Sequence, residues 1–277
     1  MKVISVNVNG VRAAARRGGL ESLAAGDPDV LCLQEVRSSR DQLTETLADS
    51  GLEHLHLAHA PCSQPGRCGV AILTKEAPRE VRVAPGSISG SGGGPVFAEC
   101  GRWVEVDIGW AGRRLTVASV YVPSGEAGTA KQEAKYRFLD LMDRRLAELR
   151  RIAADELAEV VVVGDFNVAH QRVDIKNWRG NRDRAGFLPA EREHVGRWLS
   201  AGWVDVGRAH AGPETPGPYT WWTWRGRAFE NDVGWRIDYL LATPGIAGRL
   251  VDYRVGRAGS YSDRWSDHAP VLARFRR

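Results

Sequence analysis

The sequence predicts an α/β sandwich of the α+β type: two mixed β-sheets packed face to face, with helices outside. Three observations predict it. Eight apolar segments with strand character recur along 277 residues, helical periodicity appears only singly between them, and a 43% hydrophobic fraction allows a sizeable core. A helix after every strand would instead indicate a barrel or a doubly wound sheet.

The strands, in order, are "KVISVNVNG", "DVLCLQEV", "GVAILTK", "WVEVDIGW", "RRLTVASVYVP", "EVVVVGDFNV", "WRIDYLLAT" and "APVLARF". Most alternate in polarity, whereas the four valines of "EVVVV" read as a strand buried on both faces. The clearest helix runs from Ala130 to about Leu157, where Leu139, Met142, Leu146, Leu149 and Ala153 return every three or four residues. A second helix fits "PAEREHVGRWLSAG", with Pro189 suited to its start and Gly202 to its end. The stretch "GSISGSGGGP" at 86–95 reads as a flexible surface loop, too short to link domains. One domain over 1–277 is expected.

Net charge is +4 and the isoelectric point about 9.0, which mildly favours polyanionic partners. The basic residues are nearly all Arg, with Lys only at 2, 75, 131, 135 and 176. Arg pairs with phosphate through two parallel hydrogen bonds, although a compositional bias accounts for the count equally well. Cys32, Cys62, Cys68 and Cys100 show no CxxC spacing, so neither a structural zinc site nor a disulfide framework is expected. The N-terminus alternates in polarity rather than forming a signal peptide, and no apolar run reaches the length of a membrane span. A cytoplasmic protein without a membrane partner is expected.

The strands share one peculiarity: polar groups stand where the apolar pattern stops. Asn7 and Asn9 end the first, Gln34 and Glu35 the second, and Tyr121 the "SVYVP" strand. Asp165 and Asn167 follow the valines, Asp238 lies in "WRIDYLL", and Asp267 and His268 precede the last strand. Singly, each has a plain account as a turn or cap residue. Six such clusters on neighbouring strands would face one rim, and oxygen-rich rims bind hard divalent cations. Two aspartates and a histidine near one metal are the parts needed for metal-assisted hydrolysis of a phosphate ester.

The ordered segments "NVNGVRA", "LCLQEV", "GVAILTK", "SVYVPSGE", "GDFNVAH", "DIKNW", "WRIDYLLAT" and "SDHAPV" resemble the signature set of the exonuclease III family of AP endonucleases. That family belongs to the endonuclease/exonuclease/phosphatase superfamily. The resemblance runs from residue 3 to the C-terminus. "GDFN" and "SDH" fit the wider superfamily, whereas "DIKNW", "NDVGWRIDY" and "YVPSGE" are much more specific to its DNA-repair branch. It implies a DNase I-like four-layered sandwich and a Mg²⁺-dependent nuclease, with Mn²⁺ as an alternative ion. The implied substrate is double-stranded DNA with abasic sites or blocked 3′ ends. Cleavage 5′ to an abasic site would leave a 3′-hydroxyl, and 3′→5′ exonuclease activity would accompany it in a monomer.

By the same resemblance Glu35 matches the principal metal ligand, and Asn7 and Asp267 complete the metal surroundings. Asp165 matches the residue that orients or deprotonates the attacking water, with Asn167 beside it. His268 matches the phosphate-contacting histidine, Asp238 the carboxylate that fixes its ring, and Tyr121 a second phosphate contact. Trp221, Trp222, Trp235 and Ile237 match the aromatic abasic-sugar pocket. Arg12, Lys176, Asn177 and Trp178 resemble DNA-backbone contacts. There are departures: Asn9 stands where some relatives carry aspartate, and Ser124 replaces a longer polar residue. Both bear on the balance between endonuclease and exonuclease activity.

"HLHLAH" places His54, His56 and His59 in alternation, but without a fourth ligand nearby a solvated strand face is expected rather than a zinc site. Two other functions fit parts of the pattern. A small-ester phosphatase, acting on a phosphoinositide for example, would keep the fold but not the aromatic pocket or the basic "DIKNW" segment. A non-catalytic DNA-binding module would not need the full set of carboxylates and histidine.

Overall fold

Val160 to Val163 are buried in the middle of a six-stranded sheet, as a continuous apolar run requires. The computed structural model describes residues 1–83 and 100–277, so the Gly-rich stretch 86–95 lies outside the described residues. The strands are β1 Lys2–Asn7, β2 Val30–Gln34, β3 His56–Ala60, β4 Val70–Thr74, β5 Glu80–Val83 and β6 Trp103–Trp110. They continue with β7 Arg113–Tyr121, β8 Glu159–Asp165, β9 Val204–Asp205, β10 Asp238–Ala242, β11 Leu250–Val255 and β12 Val271–Phe275. The helices are α1 Val11–Ala15, α2 Gly19–Ala25, α3 Arg40–Leu47, α4 Ala130–Asp155, α5 Trp178–Asn181, α6 Pro189–Ser200, α7 Val206–Ala211 and α8 Pro244–Ala247.

One sheet has the order β11-β12-β1-β2-β4-β3 and the other β5-β6-β7-β8-β10-β9. Each is antiparallel except for one central parallel pair, β1 with β2 and β7 with β8. Because parallel strands end at the same edge, each pair delivers two strand termini to one rim. Three apolar layers hold the assembly. Val3, Cys32, Ile72, Val117, Val161 and Leu240 belong to the layer between the sheets. Leu20, Leu31, Leu43 and Leu73 pack the first sheet against α1, α2 and α3. Phe138, Met142, Val162, Phe166 and Trp198 pack the second against α4 and α6. This is the expected four-layered sandwich.

All eight expected strands form, and α4 and α6 occupy the expected helical segments. Helix α4 stops at Asp155, short of Leu157, which is exposed with a left-handed φ of 50°. Strands β5, β9 and β11 were not expected. β5 is largely exposed and β9 has two residues, while β11 buries Tyr253 between exposed Val251 and Arg254, so none carries a clear apolar alternation. The histidine stretch corrects an expectation. His54 and His56 are exposed, but His59 is buried with neither ring nitrogen hydrogen-bonded. Burial, then the nearby Arg40, pushes its pKa down to about 4, so the ring is neutral.

Candidate active site

Gly164 lies within β8, paired with Val120 and Tyr239, one residue before the buried tip at Asp165. Its φ is 139°, and a Cβ there would lie 2.0 Å from the carbonyl oxygen of Val120, so only glycine fits. Glu35 and Asn167, directly beyond their strands, adopt left-handed φ values of 49° and 51°. Such strained non-glycine positions persist only where the surroundings hold them. Here those surroundings are polar contacts between side chains from distant parts of the chain.

Asn7 links the two sheets at the rim. Its amide nitrogen donates to Glu35 Oε1 at 2.8 Å and to Asp165 Oδ2 at 2.9 Å, while its oxygen accepts the backbone N–H of Asn9 at 3.0 Å. Asp165 Oδ1 accepts the Asn167 backbone N–H at 2.9 Å. The Asn167 side chain is held by the Val122 carbonyl at 2.9 Å and by Asp165 Oδ2 at 3.2 Å. Register places Asp238 opposite Asp165 on the antiparallel neighbour. His268 Nδ1 meets Asp238 Oδ2 at 2.9 Å, and its Nε2 lies 3.7 Å from Asp165 Oδ2. Glu35 and His268 therefore stand at two ends of one contact chain.

Two electrostatic environments coexist on this rim. Asp165, Asp238 and His268 are almost wholly buried. Burial raises the Asp165 pKa to about 7, assisted by the charges of Asp238 and Glu35 and opposed by His268 and the Asn7 hydrogen bond. Burial works against a charged His268, but Asp238 and Asp165 outweigh it and raise its pKa to about 10. The imidazolium is thus the favoured form. Glu35 sits half-buried on the other side, and its Oε2 accepts from Arg37 Nε at 3.0 Å and from a second Arg37 nitrogen. Tyr121 lies against Glu35; burial and the Glu35 and Asp165 charges hold its hydroxyl protonated far above the usual range. Asp267 accepts from Asn9 Nδ2 at 2.9 Å through one oxygen and from Trp221 Nε1 at 3.1 Å through the other. Hard anionic oxygens thus line this rim, and those that the structure brings together as a possible ligand set are Asp165, Asp238 and His268, whose ligand atoms lie within 4.8 Å of one another.

Beside the rim is an apolar patch. Trp235 and Trp221 meet edge to face with centroids 6.2 Å apart, and Trp178 packs with them over Ile237, Ile175, Phe187 and Ala169. Trp222 corrects an expectation. Consecutive residues of an extended chain point to opposite faces, so Trp222 turns away from Trp221 into a separate core with Tyr219 and Phe229. It is 1% exposed and donates to Asp232 at 3.0 Å.

Arg12, Lys176 and Asn177 are exposed, and Trp178 is half-buried. The Trp178 ring lies between the guanidinium carbons of Arg172 and Arg179, at 4.3 and 4.5 Å. The segment is tied down from beneath. The wholly buried Arg236 donates to Asp174 at 2.6 Å and to Asp205 at 2.8 and 3.1 Å. Asp174 also holds Arg208. Lys135, buried on α4, donates to the Asn167 carbonyl at 2.8 Å and pairs with Glu191 at 2.6 Å. None of these supports was foreseen, nor were Arg37 and Arg102, which lies 4.6 Å over the Tyr121 ring.

Comparison with known proteins identifies the family and the fold. Residues 4–268 match the model of the endonuclease/exonuclease/phosphatase family. The chain is 33% identical over 272 residues to an exodeoxyribonuclease of Bacillus subtilis, covering 98% of both proteins. An AP endonuclease structure from Archaeoglobus fulgidus superposes with a TM-score of 0.81 at 28% identity, covering 99% of each chain. A Neisseria 3′ phosphatase bound to a product DNA hairpin matches with the same score and identity, covering 100% of this chain and 99% of that one. With its two mixed sheets and a convergent acid–histidine rim, the chain belongs to the endonuclease/exonuclease/phosphatase family.

Proposed function

We propose that residues 1–277 act as one domain, a Mg²⁺-dependent DNA-repair nuclease that cuts duplex DNA 5′ to abasic sites and removes nucleotides or blocks from 3′ ends. The single observation that carries this reading is the Asn7 amide, which joins Glu35 to the buried Asp165–His268–Asp238 group within one contact chain. Glu35, Asn7 and Asp267 would hold the metal. Their donors are hard oxygens with lone pairs to spare beyond the bonds they accept, so the set fits Mg²⁺, or Mn²⁺ in its place. When bound, the ion supplies Lewis-acid charge at the phosphate.

The chain's own groups do the rest. Asp165, fixed by Asn7 and Asn167, orients the attacking water and accepts its proton; its raised pKa makes it a competent base near neutrality. His268, kept cationic by Asp238, donates from Nε2 to a phosphate oxygen as charge builds there. Tyr121, held as a phenol, donates to the same group. Asn167 steadies the water from the side. Trp221, Trp235 and Ile237 form the slot for a sugar without a base, which leaves the duplex at lower cost than a paired nucleotide. Trp222 is not part of that slot. Arg12, Lys176, Asn177 and Trp178 grip the backbone beside it. The same reading has the protein act as a monomer in the cytoplasm, on the nucleoid if the host is bacterial.

The test is incision of a duplex bearing one abasic analogue, with Mg²⁺ and with chelator, beside an undamaged duplex, a 3′-phosphate duplex and an inositol phosphate. Metal-dependent cutting 5′ to the analogue is expected. Turnover of the inositol phosphate alone would reject the DNA reading, and undiminished cutting in chelator would reject the metal.

A further inference from the structure

Two buried cations stand on α4, and they hold different things. Arg145 donates to Glu105 of β6 at 2.8 and 2.5 Å, away from the rim residues. Lys135 is wholly buried, and the three N–H groups of its ammonium have three acceptors. These are the Ser124 carbonyl at 3.3 Å, the Asn167 carbonyl at 2.8 Å and Glu191 Oε1 at 2.6 Å. The acceptors belong to the segment after β7, the turn after β8 and helix α6. One ammonium thus joins three pieces of chain that are distant in sequence.

Glu191 extends the link. Its Oε1 also accepts from Gln132 Nε2 at 2.9 Å, and its Oε2 accepts the backbone N–H groups of Gly186 at 2.6 Å and Leu188 at 3.1 Å. Gly186 runs between the turn and the apolar slot. Its carbonyl accepts the Ala169 N–H at 2.8 Å. A Cβ on it would come 2.9 Å from Trp235 Cζ3 and 3.2 Å from the Asn167 carbonyl oxygen, so bare backbone packs against both. Phe187, next in the chain, lies in the same apolar patch as Trp235 and Ile237. A continuous series of contacts therefore leads from Asn167 through Lys135, Glu191 and Gly186 to Trp235.

A buried ion pair is a poor source of stability, because desolvation offsets most of the attraction and apolar replacement of both partners is often as stable. What this pair adds is direction: bonds to the Asn167 carbonyl and the Gly186 N–H that an apolar contact cannot make. We propose that Lys135 and Glu191 are positioning residues that lock the turn carrying Asp165 and Asn167 to the wall of the Trp235 slot, and so set the preference for abasic sites. This rests on the reading of the rim as an abasic-site nuclease. A water held at Asp165 and a sugar held at Trp235 must meet at one phosphorus. An error of about 1 Å between them can cost on the order of 10²-fold in rate.

The test replaces both charges at once in the full chain, Lys135→Met with Glu191→Leu, and Tm should stay near that of the unaltered protein. Single-turnover incision of an abasic duplex should fall roughly 10–100-fold while duplex affinity is unchanged. The ratio of that rate to removal of undamaged 3′ nucleotides should fall about 10-fold, the scale on which an apolar pocket discriminates. Amide exchange at Ala169, read without DNA, should quicken. Glu191→Gln keeps the shape and should show the same losses at smaller size, so the result does not depend on the double variant folding. Arg145→Met, where Arg82 still balances Glu105, should lower Tm and leave rate and ratio as they were. A folded double variant with normal rate and ratio, equal losses in Arg145→Met, or unchanged exchange at Ala169 would overturn the proposal. If the unaltered protein cuts neither substrate, the nuclease reading fails, and exchange at Ala169 still decides whether the pair couples turn to slot.

Discussion

The rims of the two sheets use the same device and reach opposite results. In each, a central parallel pair ends on a carboxylate beyond an apolar strand: Glu35 after β2 and Asp165 at the tip of β8. Glu35 remains half-buried, balanced by Arg37. Asp165 is 1% exposed, faces a second carboxylate and is pushed up toward neutrality. The difference lies in what flanks each tip. Arg37 follows Glu35 two residues on, whereas Asp238 and His268 are brought to Asp165 from the neighbouring strand and from the chain just before β12. A carboxylate with partial solvent access suits holding an ion, and a wholly buried one suits moving a proton. One rim can thus supply both roles without exchanging residue types.

The largest effect should come from the buried half. Asp165→Asn and His268→Ala should each lower kcat on the order of 10³-fold while duplex affinity survives, because on the proposed reading these groups serve the transition state. Single-turnover incision and equilibrium binding measure the two separately, and near-normal kcat in either variant would erase the proposed division. The half-buried side, at Glu35, should behave differently. Glu35→Gln should cost about 10–100-fold at limiting Mg²⁺ and recover substantially as the ion is raised. A Mg²⁺ titration showing no recovery would make Glu35 more than a ligand.

The smallest effect is on stability without metal. His268 has a folded pKa of about 10 against an ordinary 6.5, so its contribution is complete below pH 6.5 and is lost as pH rises through 10. Asp165, at about 7 against 3.8, adds no penalty below pH 3.8 and a full one above 7. Both act in the same direction. In chelator, Tm should fall steadily from pH 5 to pH 10, and His268→Gln should flatten the decline above pH 6.5. Thermal melts across that range suffice, and a rising Tm would contradict the assigned proton positions.

Much of this was legible in the sequence because the strands that build the rim are the long, apolar ones. "EVVVVGDFN" announces both a buried strand and the polar groups at its end. What escaped falls into two kinds. Edge strands such as Glu80–Val83 are exposed on both faces and carry no apolar rhythm. Buried charges such as Lys135, Arg145 and Arg236 look like surface residues until their partners, Glu191, Glu105, Asp174 and Asp205, arrive from elsewhere in the chain. Trp222 failed for a third reason. Its neighbour Trp221 points to the rim, and one step along an extended chain reverses the side chain.

Residue 7 is an amide, and that choice sets how many negative charges meet at the junction of the sheets. Its two N–H groups separate Glu35 from Asp165 and satisfy one oxygen of each. An acid in its place would put a third anion against them and a repulsion the fold would have to absorb before any ion arrived. The neutral wedge therefore fixes the spacing of the two carboxylates without adding a charge between them.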